Sequence, residues 1–301
     1  MSILLLGANG QVGCALQRSL APLGHLKACD RHSADLEDTQ ALASLIHKEK
    51  PGIIVNAAAY TAVDQAESER GEAEAVNTKA VAVLAEVSRD IGALLVHYST
   101  DYVFDGKQEQ PYREQDPTNP LSVYGQTKLA GEQALKESGC KHLTFRTSWV
   151  YANGGHNFPS TILRLARERD SLSVVADQYG APTHAELIAD VTALCLYRIS
   201  LDPGQQKADL GTYHMAAQGK TNWHEFAQHL ITAAQEAGLV LQATPERVRA
   251  INSDEYTTAA QRPTNSLLNT QKLTETFGIY LPPWQYHARC FIAQIAEQEA
   301  K

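Results

Sequence analysis

The sequence predicts an α/β protein built on a doubly wound parallel sheet, with a smaller α/β unit toward the C-terminus. Three observations carry this. Short, continuous apolar runs alternate with helical periods four times in the first half of the chain, as expected of parallel strands buried on both faces and joined by crossover helices. The first strand runs straight into a glycine-rich turn, Gly7-Ala8-Asn9-Gly10-Gln11-Val12-Gly13. Beyond Pro203 the regular alternation weakens.

The bulk properties narrow the function classes. A chain of 301 residues accommodates one large domain or two modest ones. Apolar content of 44% and charged content of 20% are ordinary for a globular protein. The net charge of −8, with Lys and Arg dispersed, argues against a nucleic-acid surface, and an anionic ligand would need local cations or helix N-termini. Five cysteines, an odd number with no Cys-x-x-Cys pair, argue against a disulfide framework or a zinc site and fit a reducing cytoplasm. No apolar run approaches the ~20 residues of a membrane span. Ile3-Leu4-Leu5-Leu6 reads as a strand rather than as part of a signal peptide.

The elements follow in order. After the strand at Ile3 to Leu6 and the glycine turn, Leu16, Leu20 and Leu23 keep a helical period until Pro22 and Gly24 stop it. In that strand–turn–helix setting, glycines let a pyrophosphate approach the backbone, and the helix N-terminus supplies N–H donors. The spacing Gly-x-x-Gly-x-x-Gly is equally that of a plain turn. A second strand, Leu26 to Cys29, ends at Asp30, where a carboxylate can accept from an adenine ribose; Arg31 beside it suits a 2′-phosphate, so NADH and NADPH both remain open. A helix over Thr39 to Lys50 closes at Pro51. Ile53 to Val55 is a strand leading into Asn56-Ala57-Ala58-Ala59-Tyr60-Thr61, where small side chains suit either a cofactor lying close to the backbone or tight packing. A long helix over Glu72 to Ile91 carries Asn77, an ordinary polar position or a residue near the nicotinamide end.

Leu94 to Tyr98 is the fourth strand, and it opens into Ser99-Thr100-Asp101-Tyr102. Ligands in doubly wound sheets bind beyond such strand ends, so a Thr100 hydroxyl there can meet a substrate oxygen. The bland reading is a helix cap, but no helix is expected to follow. Tyr124 and Lys128 are four apart and share a face if helical. A phenol alone ionises near ~10, and an ammonium one turn away favours the phenolate, as proton transfer to an alcohol oxygen requires. Alone the pair is a solvated helix face; in this Rossmann-like order it is a candidate acid. Leu143 to Thr147 and Leu172 to Val175 are further strands, a helix runs from His184 to about Arg198, and Gly211 to Met215 is a short strand. Trp149 is core or a wall for a sugar ring, Trp223 is core, and Arg262 is a surface turn on its own terms.

Together, Gly7/Gly10/Gly13, the alanines after the third strand, Ser99-Thr100-Asp101 and Tyr124-x-x-x-Lys128 resemble the extended short-chain dehydrogenase/reductases that act on nucleotide sugars. More narrowly, the stretches Asn56 to Glu67, His97 to Gly106, Val123 to Glu132, Phe145 to Tyr151 and Asp177 to Thr183 resemble the dTDP-4-dehydrorhamnose reductase family, end to end. The resemblance implies reduction of the C4 ketone of a dTDP-6-deoxy-4-hexulose with NADPH or NADH. It places the cofactor on Gly7, Asn9, Gly10, Gln11, Val12, Gly13, Asp30, Arg31, Asp35, Leu36, Ala57, Ala58, Ala59, Tyr60, Asn77, Ser99, Tyr124, Lys128 and Trp149. It places the sugar nucleotide on Thr61, Val63, Thr100, Asp101, Tyr102, Tyr124, Trp149 and Arg262, with Arg262 near the diphosphate.

It further implies a dinucleotide-binding domain over 1–150, to which roughly 172–200 returns, and a substrate domain from 151–171 and 201–301. A homodimer is within the family's range. Some members hold magnesium between subunits with carboxylates; Ala15 stands where one of them is acidic, although Glu186 remains, so the bridge is not expected. The rivals are another nucleotide-sugar reductase, epimerase or dehydratase and, from a different class, a non-catalytic NADP-binding regulatory subunit. Dehydratases place a Glu where this chain has Tyr102, and a regulatory subunit need not keep Tyr124 and Lys128.

Overall fold

The structure, a computed structural model, describes residues 1–201 and 210–299; Pro203, where the periodicity weakens, lies outside the described residues. Its centre is a six-stranded sheet formed by β1 (Ser2–Leu6), β2 (His25–Cys29), β3 (Ile53–Asn56), β4 (Leu94–Thr100), β5 (Lys141–Thr147) and β10 (Gly211–His214), in the order β10-β5-β4-β3-β1-β2. Every pairing is parallel. The order reverses between β1 and β3, and that switch point opens a crevice beyond the strands' C-terminal ends.

Alternation along β1 shows why the fold needs two helical layers. Leu4 and Leu6 face a core with Leu42, Ile46, Leu84 and Leu135, contributed by α2 (Thr39–Glu49), α4 (Ala80–Ile91) and α5 (Val123–Ser138). Ile3 and Leu5 face the opposite core, with Leu16 and Leu20 of α1 (Gln11–Leu20) and Ile188 and Val191 of α7 (Ala185–Leu201). The second core continues without a break into α6 (Phe158–Glu168), α8 (Trp223–Glu236), α9 (Gln271–Phe277) and α10 (Trp284–Glu299) through Ile162, Phe226, Phe277 and Phe291. The smaller α/β unit is therefore anchored on the α1/α7 side of the sheet.

Two expectations change. The long helix before β4 comprises α3 (Arg70–Glu74), a π-helical turn over Ala75–Lys79, and α4, closed by Gly92 in the left-handed conformation. Leu172 to Val175 does form a strand, β7, but it does not return to the main sheet. It pairs in parallel with β12 (Val248–Ile251), and β10 occupies the place beside β5. The residues of β7 alternate between buried and more exposed, which suits a two-stranded ribbon with one covered face rather than the doubly covered interior of a parallel sheet. What returns to the main body is α7, packed along α1. The remaining short strands, β6 (Val150–Tyr151), β8 (Tyr179–Gly180), β9 (Thr183–His184) and β11 (Thr221–Asn222), make the pairs β6-β9 and β8-β11.

Candidate active site

The crevice at the switch point is a cleft of about 690 Å³ whose lining runs from Gly7, Asn9, Gly10, Gln11 and Val12 to Tyr124, Lys128 and Trp149. At one end α1 begins at Gly10 with no side chain capping it, which leaves N–H donors for an anion. Gly7 is at φ 77°, and a Cβ there would sit 2.6 Å from the Ala58 nitrogen. At Gly13 a Cβ would lie 1.9 Å from the Gly7 carbonyl oxygen. Gly13 does not line the cleft; it lets α1 approach the turn. The turn is thus a backbone cradle that only glycine permits, not an ordinary loop.

Asp30 follows β2 and lines the cleft with Arg31, Asp35 and Leu36. The Ser33 hydroxyl and N–H hold the Asp30 carboxylate and keep its pKa below the usual range, while the Asn9 amide donates to it at 3.3 Å. Arg31 is largely exposed and pairs with Glu37 at 2.6 Å and Asp35 at 3.6 Å.

Across the switch point Ala57, Ala58, Ala59 and Tyr60 line the cleft. Two asparagines fix their path. Asn56 accepts from the Ala58 N–H at 3.2 Å and pairs with His97. Asn77, on the π turn, exchanges hydrogen bonds of 3.0 Å with both the N–H and the carbonyl of Tyr60 and donates to Thr127. Asn77 is therefore a buried bracket for the alanine turn and is not among the residues that line the cleft. The Tyr60 hydroxyl donates to Glu69.

Ser99, Thr100, Asp101 and Tyr102 come together with Tyr124 and Lys128 at the end of β4. Thr100 does act as a cap: its hydroxyl accepts from the Tyr102 N–H at 3.2 Å at the start of a short 3-10 turn, Asp101–Val103. No helix was expected here because three residues carry no helical period. The same hydroxyl donates to Asp101 at 3.0 Å and lies close enough to the Tyr124 phenol to act on its ionisation. Capping and a place beside the phenol coexist in one side chain.

Ser122 caps α5, and Tyr124 and Lys128 follow on one face. Lys128 is buried, and its ammonium donates to the Tyr98 carbonyl at 2.6 Å. Burial pulls its pKa down to about 8, against an upward pull from Glu132 one turn on. Burial pushes the Tyr124 phenol up; the Thr100 hydrogen bond opposes this and the Asp101 charge adds to it. A phenol held protonated in this way has a proton to give once negative charge develops beside it. The Tyr102 ring packs edge-on to Tyr124, 5.5 Å between centroids. Asp101 is buried, and burial lifts its carboxyl to about 6.

On the remaining side the lining includes Thr61, Val63 and Trp149. Arg262 is not part of it. Its guanidinium is paired in a two-pronged contact with Asp64, at 2.7 and 3.2 Å. A partner 198 residues away in the chain gave no signal in the sequence. Trp223, expected as core, is only partly buried and stacks on Trp149. Lining residues not singled out from the sequence include Ala34, Glu37, Thr147, Val150 and His156. Thr147 sits at the end of β5, where the strand-end rule alone points to it.

Among the described residues no three His, Cys, Asp or Glu side chains are grouped to hold a metal ion, and no helix is long and apolar enough to cross a membrane. Ala15 lies on α1 and Glu186 on α7, with the Glu186 carboxylate 3.9 Å from the His184 ring.

The family described as the RmlD substrate binding domain matches residues 1–297. A dTDP-4-dehydrorhamnose reductase from Salmonella typhimurium is 48% identical over 299 residues, covering 98% of each chain. Among solved structures, a dTDP-4-dehydrorhamnose reductase from Clostridium acetobutylicum superposes with a TM-score of 0.89 at 32% identity, covering 98% of this chain and 99% of its own. The same enzyme from Bacillus anthracis, solved in complex with NADP, gives 0.85 at 33% identity over 97% and 98%. By sequence and by fold alike, this chain belongs to the dTDP-4-dehydrorhamnose reductase family.

Proposed function

We propose that this protein reduces the C4 ketone of dTDP-4-dehydro-L-rhamnose to give dTDP-L-rhamnose, with NADPH or NADH as reductant. The observation that carries the reading is the convergence, at one end of a continuous cleft, of the Tyr124 phenol, the Thr100 hydroxyl beside it and the buried Lys128. The other end is a glycine cradle at an uncapped helix N-terminus. That cradle, which a Cβ would fill, fits a dinucleotide's pyrophosphate. No observation favours the epimerase or regulatory-subunit readings.

When bound, the nicotinamide cofactor supplies hydride to C4. Gly7, Gly10, Gln11 and Val12 would hold its phosphates, Asp30 and Arg31 its adenine ribose, and the Ala57–Ala59 turn its course along the switch point. Lys128 would hold the nicotinamide ribose, and its charge would ease proton release from Tyr124. Tyr124, protonated in the apolar site, gives its proton to the C4 oxygen as negative charge develops there. The Thr100 hydroxyl, whose hydrogen goes to Asp101, offers an acceptor oxygen beside the phenol. Thr61, Val63 and Trp149 shape the sugar end. Arg262 reaches a diphosphate only by exchanging its Asp64 pairing for it.

We further assign residues 1–150, with the helix over 185–201 and the strand over 211–214 that pairs with β5, to the dinucleotide-binding domain and the remainder to the substrate domain. The five free cysteines fit a cytoplasmic setting, and a homodimer is compatible with this assignment. Mixing the protein with dTDP-4-dehydro-L-rhamnose and either NADPH or NADH should consume the reduced cofactor, followed by absorbance. No consumption with either one overturns the proposal.

A further inference from the structure

Trp149 has an unusual backbone for its size. At φ 48° it is one of two non-glycine residues with positive φ among those described, the other being a helix-end lysine. Bulky residues avoid this region unless their surroundings impose it. Two neighbours impose it here. The Trp223 indole lies flat on the Trp149 ring, with centroids 3.5 Å apart and planes within 9°. On the β8 strand, Gly180 leaves room for the ring: a Cβ there would come within 2.5 to 2.9 Å of three Trp149 ring carbons.

Trp223 is itself fixed. Its ring N–H donates to the Gln178 side chain at 3.2 Å, and the Gln178 amide donates to the Ser253 hydroxyl at 3.0 Å. The Phe158 ring packs on it at 4.6 Å between centroids. Trp149 lines the cleft and Trp223 does not, so whatever Trp223 does for a ligand, it does through Trp149. The stack also joins the strand exit after β5 to the first residue of α8, which belongs to the smaller unit.

We propose that Trp223 is a positioning residue for the sugar end of the cleft. Stacked on Trp149 and tied to Gln178, it holds that indole in its disfavoured backbone conformation as a fixed flat wall, and Gly180 is the specificity-determining gap that admits it. The inference rests on the reading of the cleft as a nucleotide-sugar site.

The test is steady-state kinetics of the full-length protein with NADPH and dTDP-4-dehydro-L-rhamnose. An aromatic pair of this kind contributes enough to shift binding roughly 2- to 10-fold. Trp223→Leu should therefore raise the sugar-nucleotide KM by about that factor, with kcat and the NADPH KM little changed, and Trp223→Phe should restore most of it. Gly180→Ala, whose Cβ would meet the Trp149 ring first, should give the same pattern. The wild-type protein should show the exciton couplet of a stacked indole pair in its circular dichroism, and Trp149→Phe should abolish it. An unchanged sugar KM in folded Trp223→Leu or Gly180→Ala overturns the proposal, and so does a wild type without the couplet if neither variant folds. Wild-type protein that consumes no NADPH sinks the underlying functional reading instead, so the two failures are distinguishable.

Discussion

Gly125, between Tyr124 and the rest of α5, offers a way to move the acid without removing it. A Cβ at this position would sit 2.3 Å from the Tyr102 carbonyl oxygen and 3.0 Å from the Pro120 Cβ. That is about 1.1 Å short of ordinary contact, which starts at 3.4 Å. The obstacle is backbone, so in Gly125→Ala either α5 or the Thr100–Tyr102 segment has to give way. Both carry the groups that meet at the phenol. Overpacking costs about 1–3 kcal/mol, while alanine in place of glycine inside a helix returns about 1 kcal/mol; the net loss of about 0–2 kcal/mol leaves the protein folded. Displacement of a reacting group by about 1 Å can cost on the order of 10²-fold in rate. The glycine cradle lies at the opposite end of the cleft, so NADPH binding should survive. Gly125→Ala should thus lower kcat roughly 100-fold, with NADPH affinity, read by fluorescence titration, within about 2-fold of wild type. The control is Gly71→Ala, where a new Cβ meets nothing within 4 Å. Wild-type turnover in Gly125→Ala would refute the claim that Tyr124 must stay against Thr100.

Other outcomes follow from the same geometry. Arg31 is exposed and held only by carboxylates, so Arg31→Ala should raise the KM for NADPH about 10-fold, the size of one charged hydrogen bond, and leave the KM for NADH unchanged; equal effects on both would contradict a role at the 2′-phosphate. Burial holds Lys128 at about 8 against an ordinary 10.5. The unfolded chain therefore binds more protons between those values, and this group's contribution to stability rises with pH across that window. The Tm difference between wild type and Lys128→Met should move in favour of wild type from about pH 8 to about pH 10; a constant difference would contradict the buried placement. Arg146 and Glu132 form a buried pair with contacts of 2.6 and 2.9 Å. Glu132→Gln alone should cost about 3–5 kcal/mol, seen as a lower midpoint in urea, whereas replacing both with apolar residues should recover most of the loss.

Much of this arrangement was legible in the sequence because it is local. The run Ile3 to Leu6 ending in glycines, the alanine turn after β3 and the four-residue step from Tyr124 to Lys128 each depend on neighbours along the chain, where periodicity and turn chemistry operate. What could not be read depends on partners far apart. An apolar run such as Leu172 to Val175 declares itself a strand but not which strand it joins. Asn77 reads as an ordinary polar position or a residue near the cofactor, and only the folded chain sets its amide against the Tyr60 backbone. Arg262 reads as a free cation until Asp64 is brought beside it. Trp223 reads as core and does pack against it, outside the cleft lining, but only the folded chain sets its ring against Trp149. The ionisation of the acid was misjudged in a similar way. Spacing suggested that Lys128 lowers the Tyr124 pKa, whereas in the folded chain burial is the leading influence and pushes the phenol up.

The claim on which the account turns is that Tyr124 protonates the C4 oxygen. Its most direct test is single-turnover oxidation of protein-bound NADPH by dTDP-4-dehydro-L-rhamnose in wild type and Tyr124→Phe, with NADPH affinity measured alongside. The account predicts a rate about 10²- to 10⁴-fold lower in the variant with NADPH binding unchanged. Equal rates in the two proteins would contradict it.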